Sequence, residues 1–435
     1  MDYEAFLQEF YRLERFGIKL GLDVITELLR RLGEPQRLFP AVHVTGTNGK
    51  GSVCAFLESI LREAGYHVGL YTSPHLVRFN ERIRVNGHEI SNDDVVRLYT
   101  AIRPHMEAMA AENPVHHPTF FEVATAMAFA YFAERKVDVA VVEVGMGGRY
   151  DATNVADPAV SVVTRVGLEH AEHLGRTVRR IAREKSGIIK NGRPVVTVGQ
   201  EAIEEIESRC RVTGARLTVV GRDVRFQRRF LGWEGQRVRF ENGGELEVDL
   251  SLLGPYQAEN AAIAYASIRA LQAGGWAVSE AAILAGFQKA RWPARLEVVR
   301  KSPRVVVDGA HNPPAAEALA GALSELLAGT KVTLVFGAMG DKDLDGMARA
   351  LVPHVARLVA VKSRVERAAS PESVVSAFRS AAESAGMSPL VTEAIPSVGE
   401  ALRKVLGQSS PSETILVAGS IYVAGEALEA LADGP

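Results

Sequence analysis

The segment AVHVTGTNGKGS (residues 41–52) runs a β-branched apolar strand into a glycine-rich turn with one lysine, and the turn into a helical pattern. Glycines permit positive φ and let backbone N–H groups come close to phosphate oxygens. A helix that begins at the turn aims its N-terminal dipole at the same anion. Lys50 stands where it would reach the terminal phosphates of a nucleotide. The strict pattern G-x-x-x-x-G-K-[ST] is not met, because Val44 replaces the first glycine and Gly51 separates Lys50 from Ser52. An ordinary tight strand-to-helix turn would explain the glycines alone. Strand, Gly-Lys turn and helix in that order favour a phosphate loop. Such a loop needs a carboxylate at the end of a neighbouring strand to hold Mg²⁺. DVAVVEV (138–144) offers Glu143 there, ahead of the glycine-rich MGGRYDATN.

These groups must be positioned by a sheet. Apolar runs at 41–45, 67–72, 138–144, 159–164 and 194–199 alternate with segments of helical spacing. Continuous apolar strands between helices predict a parallel sheet covered on both faces. Residues 222–250 alternate instead, with turn signals at Glu234-Gly235 and at Asn242-Gly243-Gly244, and predict antiparallel hairpins. The arginines at 225, 228 and 229 among Phe226, Phe230 and Trp233 mimic a nucleic-acid patch. A hairpin with aromatics in and arginines out explains them better. The α/β rhythm restarts in RVVVDGAH (304–311), KVTLVFGAM (331–339), RLVAV (357–361) and ETILVAGS (413–420). The expected division is therefore 1–295 and a smaller 296–435.

Lys plus Arg number 50 against 52 Asp plus Glu, a net charge of −2, which excludes a dedicated nucleic-acid coat. The two cysteines, Cys54 and Cys210, build no disulfide framework and suit a reducing compartment. The first residues lack the apolar core of a signal peptide, and no apolar run is long enough to span a bilayer. The expectation is a cytoplasmic monomer acting on small molecules, with no nucleic-acid or membrane partner.

TGTNGKGS, TSPHLVRFNERIRVNG, EVGMGGRYDATN, EHLGRTVRRIAREKSGIIK and DGAHNP together resemble the folylpolyglutamate synthases, including those that also act as dihydrofolate synthases, within the Mur ligase superfamily. The resemblance runs from FGIKLGLD (16–23) to GSIYVAGE (419–426). It implies an α/β protein: a P-loop NTPase-like parallel-sheet domain, a smaller Rossmann-like C-terminal domain and a cleft between them. It implies ATP and two Mg²⁺ ions. Asn48, Gly49, Lys50, Gly51 and Ser52 would hold the phosphates. Asn260, Arg295 and Asp308 would contact the nucleotide. Ser73 and Glu143 would ligate one Mg²⁺, and His170 with Glu143 the second. Lys185, fifteen positions after His170, matches a lysine that is carbamylated in the superfamily. Glu169 stands where the family usually has Asp.

Other readings compete. Read without the resemblance, Lys185 belongs to a solvated basic face with Arg176, Arg179, Arg180 and Arg183. Thr119 and Glu122 form a capping box, with Phe120 and Phe121 as core. The resemblance instead places this stretch, with Arg82 and Asp151, on the substrate, aromatic faces stacking on a pterin. Asn312, Pro313 and Pro314 suit a helix start. His311 and Ser420 end buried strands, where open α/β sheets bind ligands, and are candidates for the incoming glutamate. The resulting activity is an ATP-dependent transfer of L-glutamate to a folate or dihydropteroate carboxylate through an acyl phosphate, with Lys50, Lys185 and His311 catalytic. Another Mur-type amino-acid ligase and a non-catalytic ATP-binding protein remain as alternatives.

Overall fold

A computed structural model describes residues 1–432 apart from 18, 20 and 243. Gly243 of the expected turn therefore lies outside the described residues. The strands are β1 (Ala41–Thr45), β2 (Val68–Tyr71), β3 (Ile83–Val85), β4 (His88–Glu89), β5 (Val139–Glu143), β6 (Pro158–Val163), β7 (Pro194–Val198) and β8 (Arg216–Val220), then β9 (Arg225–Phe230), β10 (Gln236–Glu241) and β11 (Glu245–Leu250), and finally β12 (Glu297–Lys301), β13 (Arg304–Val307), β14 (Val332–Phe336), β15 (Val355–Ala360), β16 (Val391–Ala394) and β17 (Thr414–Ala418).

The first sheet has the order β4-β3-β2-β5-β1-β6-β7-β8. Its strands are parallel from β2 to β8, and β3 and β4 add an antiparallel edge. Every residue of β1 and β5 is buried, which is why both read as unbroken apolar runs. Helices carry the aromatic core that the first residues join. Phe6 and Phe10 stack with ring centres 5.0 Å apart, and both meet Phe79 and Tyr99 edge-on.

β9 to β11, in the stretch expected to form hairpins, make a separate three-stranded sheet of order β11-β10-β9. Its side chains differ from the expectation. Phe230 is exposed, while Arg228 turns in to Gln236 and to Glu325, so charge pairing rather than aromatic burial sets this strand. The last sheet has the order β12-β13-β17-β14-β15-β16, parallel except for β12. Contacts divide the chain into Met1–Gln227 with Val238–Leu250 and Ala258–Ala290, and Arg228–Arg237 with Ser251–Gln257 and Arg291–Pro435. Two short excursions thus join the second unit ahead of the single cut near residue 295 that the sequence suggests. No described helix is long and apolar enough to cross a membrane.

Candidate active site

The turn after β1 is built on glycine. Gly46 has φ +149°, and a Cβ there would lie 1.7 Å from Thr164 Oγ1. Gly49 has φ +88°, and a Cβ there would lie 2.4 Å from Asn260 Oδ1. Neighbouring strand ends hold the turn: Thr164 Oγ1 donates to Asn48 O at 2.7 Å, Thr47 N to Arg165 O at 2.7 Å, and Thr45 Oγ1 to Gly147 O at 2.6 Å. The helix Lys50–Glu63 begins at the turn, with Ser52 buried in its first turn. Lys50 Nζ donates to Gly46 O at 2.9 Å and Thr47 O at 3.3 Å. Asn48, Gly49, Lys50, Gly51, Ser52 and Asn260 are thus on one loop or against it.

Glu143 ends β5, is 5% exposed, and accepts from Ser73 N at 3.2 Å. Ser73 follows β2, the strand beside β5. Among the described residues no three His, Cys, Asp or Glu side chains gather as a metal cage. Magnesium does not require one, since it keeps waters and takes one or two carboxylates with substrate phosphates. A buried carboxylate at a strand end fits that habit. His170 is exposed, with φ +43°.

Lys185 closes the helix Val178–Lys185 and is 1% exposed. Arg179 and Arg183 of that helix face solvent and pair with Glu204 and Glu205. Lys185 points the other way, so the basic-face reading fails for this one residue. Its Nζ lies 2.8 Å from Gly46 O and 2.5 Å from Glu169 Oε1. Burial first, then Lys50, pushes its pKa down to about 8 against the pull of Glu169. Burial works to raise Glu169, but Lys185 and Lys50 outweigh it and hold the carboxyl below its ordinary value. The pair is asymmetric because only the lysine is fully enclosed.

The 119–122 stretch forms the expected capping box. Thr119 N and Oγ1 each donate to Glu122 Oε2 at 2.8 Å, so this buried carboxylate is engaged in capping. Phe121 lies on Gly145, where a Cβ would be 2.5 Å from its ring. Phe120 stacks on Tyr11 with centres 5.6 Å apart, and the Arg82 guanidinium sits 5.3 Å from the Phe120 centroid. Asp151 is also taken up internally. Its Oδ2 accepts from Met146 N at 2.9 Å, and its Oδ1 accepts from Thr153 N at 3.0 Å and Thr153 Oγ1 at 2.5 Å. Asp151 therefore organises the 145–153 loop.

In the second unit, Asp308 follows β13 and is 4% exposed. It accepts from Leu296 N and Ala310 N, both at 2.8 Å. Burial raises its pKa against the pull of Arg295. Arg295 lies on Gly309, where a Cβ would be 2.6 Å from Nη1. His311 Nδ1 is 2.8 Å from Gly309 O, and Asn312 caps the helix Pro313–Leu327 through Ala315 N. Ser420 is 1% exposed, and its Oγ accepts from Tyr422 N at 3.1 Å at the start of Ile421–Ala432. Its oxygen thus serves the start of that helix.

The Mur ligase middle-domain model matches residues 44–268, and the Mur ligase glutamate ligase domain model matches 294–421. The chain belongs to the Mur ligase family. It is 41% identical over 344 residues to dihydrofolate synthase/folylpolyglutamate synthase of Bacillus subtilis, covering 78% of this chain and 80% of that protein. It is 38% identical to a probable bifunctional folylpolyglutamate synthase/dihydropteroate synthase of Haloferax volcanii, covering 98% of this chain and 50% of that longer protein. The solved structure of E. coli FolC in complex with DHPP and ADP superposes with a TM-score of 0.86 at 32% identity, covering 100% of this chain and 98% of that one.

Several residues of this Mur ligase do more than their sequence shows. Glu81 accepts from Leu76, Val77 and Arg78 N, each at 2.8 Å, and so ties the loop SPHLVRFNER. His43 Nε2 contacts Thr153 Oγ1 at 2.8 Å and links β1 to the Asp151 loop. Tyr11 and His75 join Arg82. A Glu five residues past a His-Leu carries no periodic signal, and a His inside an apolar strand reads as core.

Proposed function

We propose that this Mur ligase adds L-glutamate to the carboxylate of folates, and to dihydropteroate, at the cost of ATP. One observation carries the reading. A single unit holds both the Lys50 loop beside Glu143 and a buried arginine, Arg82, laid on an aromatic face. The first suits a nucleoside triphosphate, the second a flat anionic acceptor. The E. coli relative, of the same fold over its full length, binds DHPP and ADP.

A carboxylate is a poor acyl donor because oxide would have to leave. Its oxygen attacks the γ-phosphorus of ATP, ADP departs, and an acyl phosphate forms. The amine of glutamate then attacks the acyl carbon, loses a proton, and phosphate leaves with the C–O bond electrons. Lys50 and the backbone of Asn48 to Ser52 stabilise the phosphoryl charge. Asn260, Arg295 and Asp308 are assigned to the nucleotide, and Asp308 also accepts from Leu296 N beside Arg295. His311 meets the glutamate. Glu143 and Ser73, with His170 for a second ion, suit Mg²⁺, which supplies charge neutralisation between the two anionic substrates.

Lys185 is assigned as a carbamate. With its pKa lowered to about 8, a larger share of Lys185 is free amine near neutral pH than of an ordinary lysine. The ammonium first gives up one proton, the free amine adds to CO₂ with release of a second, and a cation becomes an anion. The ion pair with Glu169 belongs to the unmodified lysine. The carbamate would turn instead towards Lys50 and the metals. The cytoplasm suits two buried free cysteines.

The test is ADP formation measured with glutamate plus dihydropteroate and, side by side, plus tetrahydrofolate. Turnover with either supports the ligase. Turnover only with a different amino-acid acceptor pair assigns another Mur-type reaction, and none with any acceptor leaves an ATP-binding protein.

A further inference from the structure

His75 follows β2 in the loop that Glu81 ties, and both of its ring nitrogens are engaged. Arg82 Nε lies 2.8 Å from Nδ1, and Tyr11 Oη lies 3.3 Å from Nε2. A guanidinium N–H can only donate, so Nδ1 is the bare acceptor, and Nε2 carries the proton and points it at the tyrosine oxygen. The imidazole is thus a link of fixed polarity from Arg82 to Tyr11. Phe120 backs the assembly, with the Tyr11 ring 14° from parallel to it and the Arg82 guanidinium over it. Arg82 is 8% exposed, and among the described residues no carboxylate pairs with it. A buried guanidinium without an anion is costly, which marks it as a group awaiting one.

We infer that His75 is a positioning residue: it holds Arg82 by Nε and leaves the guanidinium's terminal nitrogens to the anionic oxygen of the acceptor substrate. The inference rests on the ligase reading and deepens it. Glu81, the residue before Arg82, fixes the loop backbone, and His75 fixes the side chain. Leucine at 75 would fill the space and free Arg82 to swing. Asparagine would place an amide oxygen near the position of Nδ1.

The experiment is steady-state kinetics with dihydropteroate and ATP varied separately, together with equilibrium binding of dihydropteroate. His75→Leu should raise the acceptor KM and Kd about tenfold while the ATP KM stays within about twofold. His75→Asn should recover most of the loss, and Tyr11→Phe should lose less than His75→Leu. In an Arg82→Ala background, His75→Leu should cost nothing further, since it acts through Arg82. A loss of equal size in that background overturns the inference. So does a parallel rise in the ATP KM, or an asparagine variant as poor as leucine. If His75→Leu does not fold, the asparagine and phenylalanine variants carry the same comparison. A wild-type chain that turns over neither dihydropteroate nor tetrahydrofolate fails the ligase reading itself and takes this inference with it; if only tetrahydrofolate is turned over, it is the acceptor varied in the same comparison.

Discussion

Lys50 and Lys185 donate to the same carbonyl oxygen, that of Gly46, from 2.9 and 2.8 Å. Two ammonium groups on one acceptor repel, and the more buried of the two bears the consequence. Lys185 is pushed down to about 8, with burial as the larger cause and Lys50 as the next. The turn thus holds a concentration of positive charge that an anion can relieve, in a chain whose net charge is only −2. An anion bound at this turn would act on both lysines through one peptide group.

Lys50→Ala removes the cation expected at the terminal phosphates. Glutamate-dependent ADP formation should fall by about 100-fold or more. The same variant takes a repelling charge from Lys185, whose pKa should rise. Loss of turnover without a change in ATP affinity would place Lys50 on the transition state rather than on bound ATP.

Lys185 makes a pH prediction of definite sign. Its folded pKa of about 8 lies below its ordinary value of 10.5. Between those values the unfolded chain keeps the proton and the folded chain does not. Stability therefore rises with pH across that window, and the cost of the buried ammonium is present in full below it. In CO₂-free buffer, denaturation midpoints should climb from pH 8 to pH 10 relative to Lys185→Met. With ¹³CO₂ present, a carbamate resonance should appear by NMR in the wild type and be missing from the variant.

The parallel strands were legible because burial on both faces writes itself as apolar runs, as in Ala41–Thr45 and Val139–Glu143. The edge strands β3 and β4 were not, being three and two residues long. Residue type could suggest Lys50 and Glu143 because a turn and a strand end fix their position. It could not tell that Asp151, Glu122 and Ser420 spend their oxygens on nearby backbone and hydroxyl groups. Hydrogen bonding within a loop leaves no period in the sequence. Lys185 shows the opposite case, since four neighbouring arginines disguise a side chain that turns inward.

Glu143→Gln keeps the shape of the side chain and its acceptor for Ser73 N, but removes the charge proposed to hold Mg²⁺. Phosphate release should fall by about 100-fold and need more Mg²⁺ for half-maximal rate. A rate that drops with no change in the Mg²⁺ titration would remove Glu143 from the metal.

Asp151→Asn separates the loop role from a substrate role. Its Oδ2 accepts from Met146 N and its Oδ1 from Thr153. An amide must turn an N–H towards one of these donors. Stability should fall by about 1–3 kcal/mol, read by denaturant unfolding, as a buried donor loses its acceptor. A stable variant with a raised acceptor KM would return Asp151 to the substrate.

Gly49→Ala tests whether the turn's geometry, and not only its lysine, makes the site. The left-handed φ of +88° costs an alanine about 1–2 kcal/mol by itself. Gly214 is the control: it has φ +63°, and a Cβ there would meet nothing within 4 Å. Gly214→Ala should show the backbone cost in its unfolding midpoint and leave turnover unchanged. At Gly49 the added carbon would also lie 2.4 Å from Asn260 Oδ1, and Asn260 is 6% exposed with little room to retreat. Either the turn or Asn260 must shift, and both are assigned to the nucleotide. ATP affinity by calorimetry should therefore fall in Gly49→Ala by well over the loss in the control, with Gly46→Ala worse still, because its Cβ would strike the Thr164 hydroxyl that holds Asn48 O. Normal ATP binding in Gly49→Ala would mean that the nucleotide does not touch this turn.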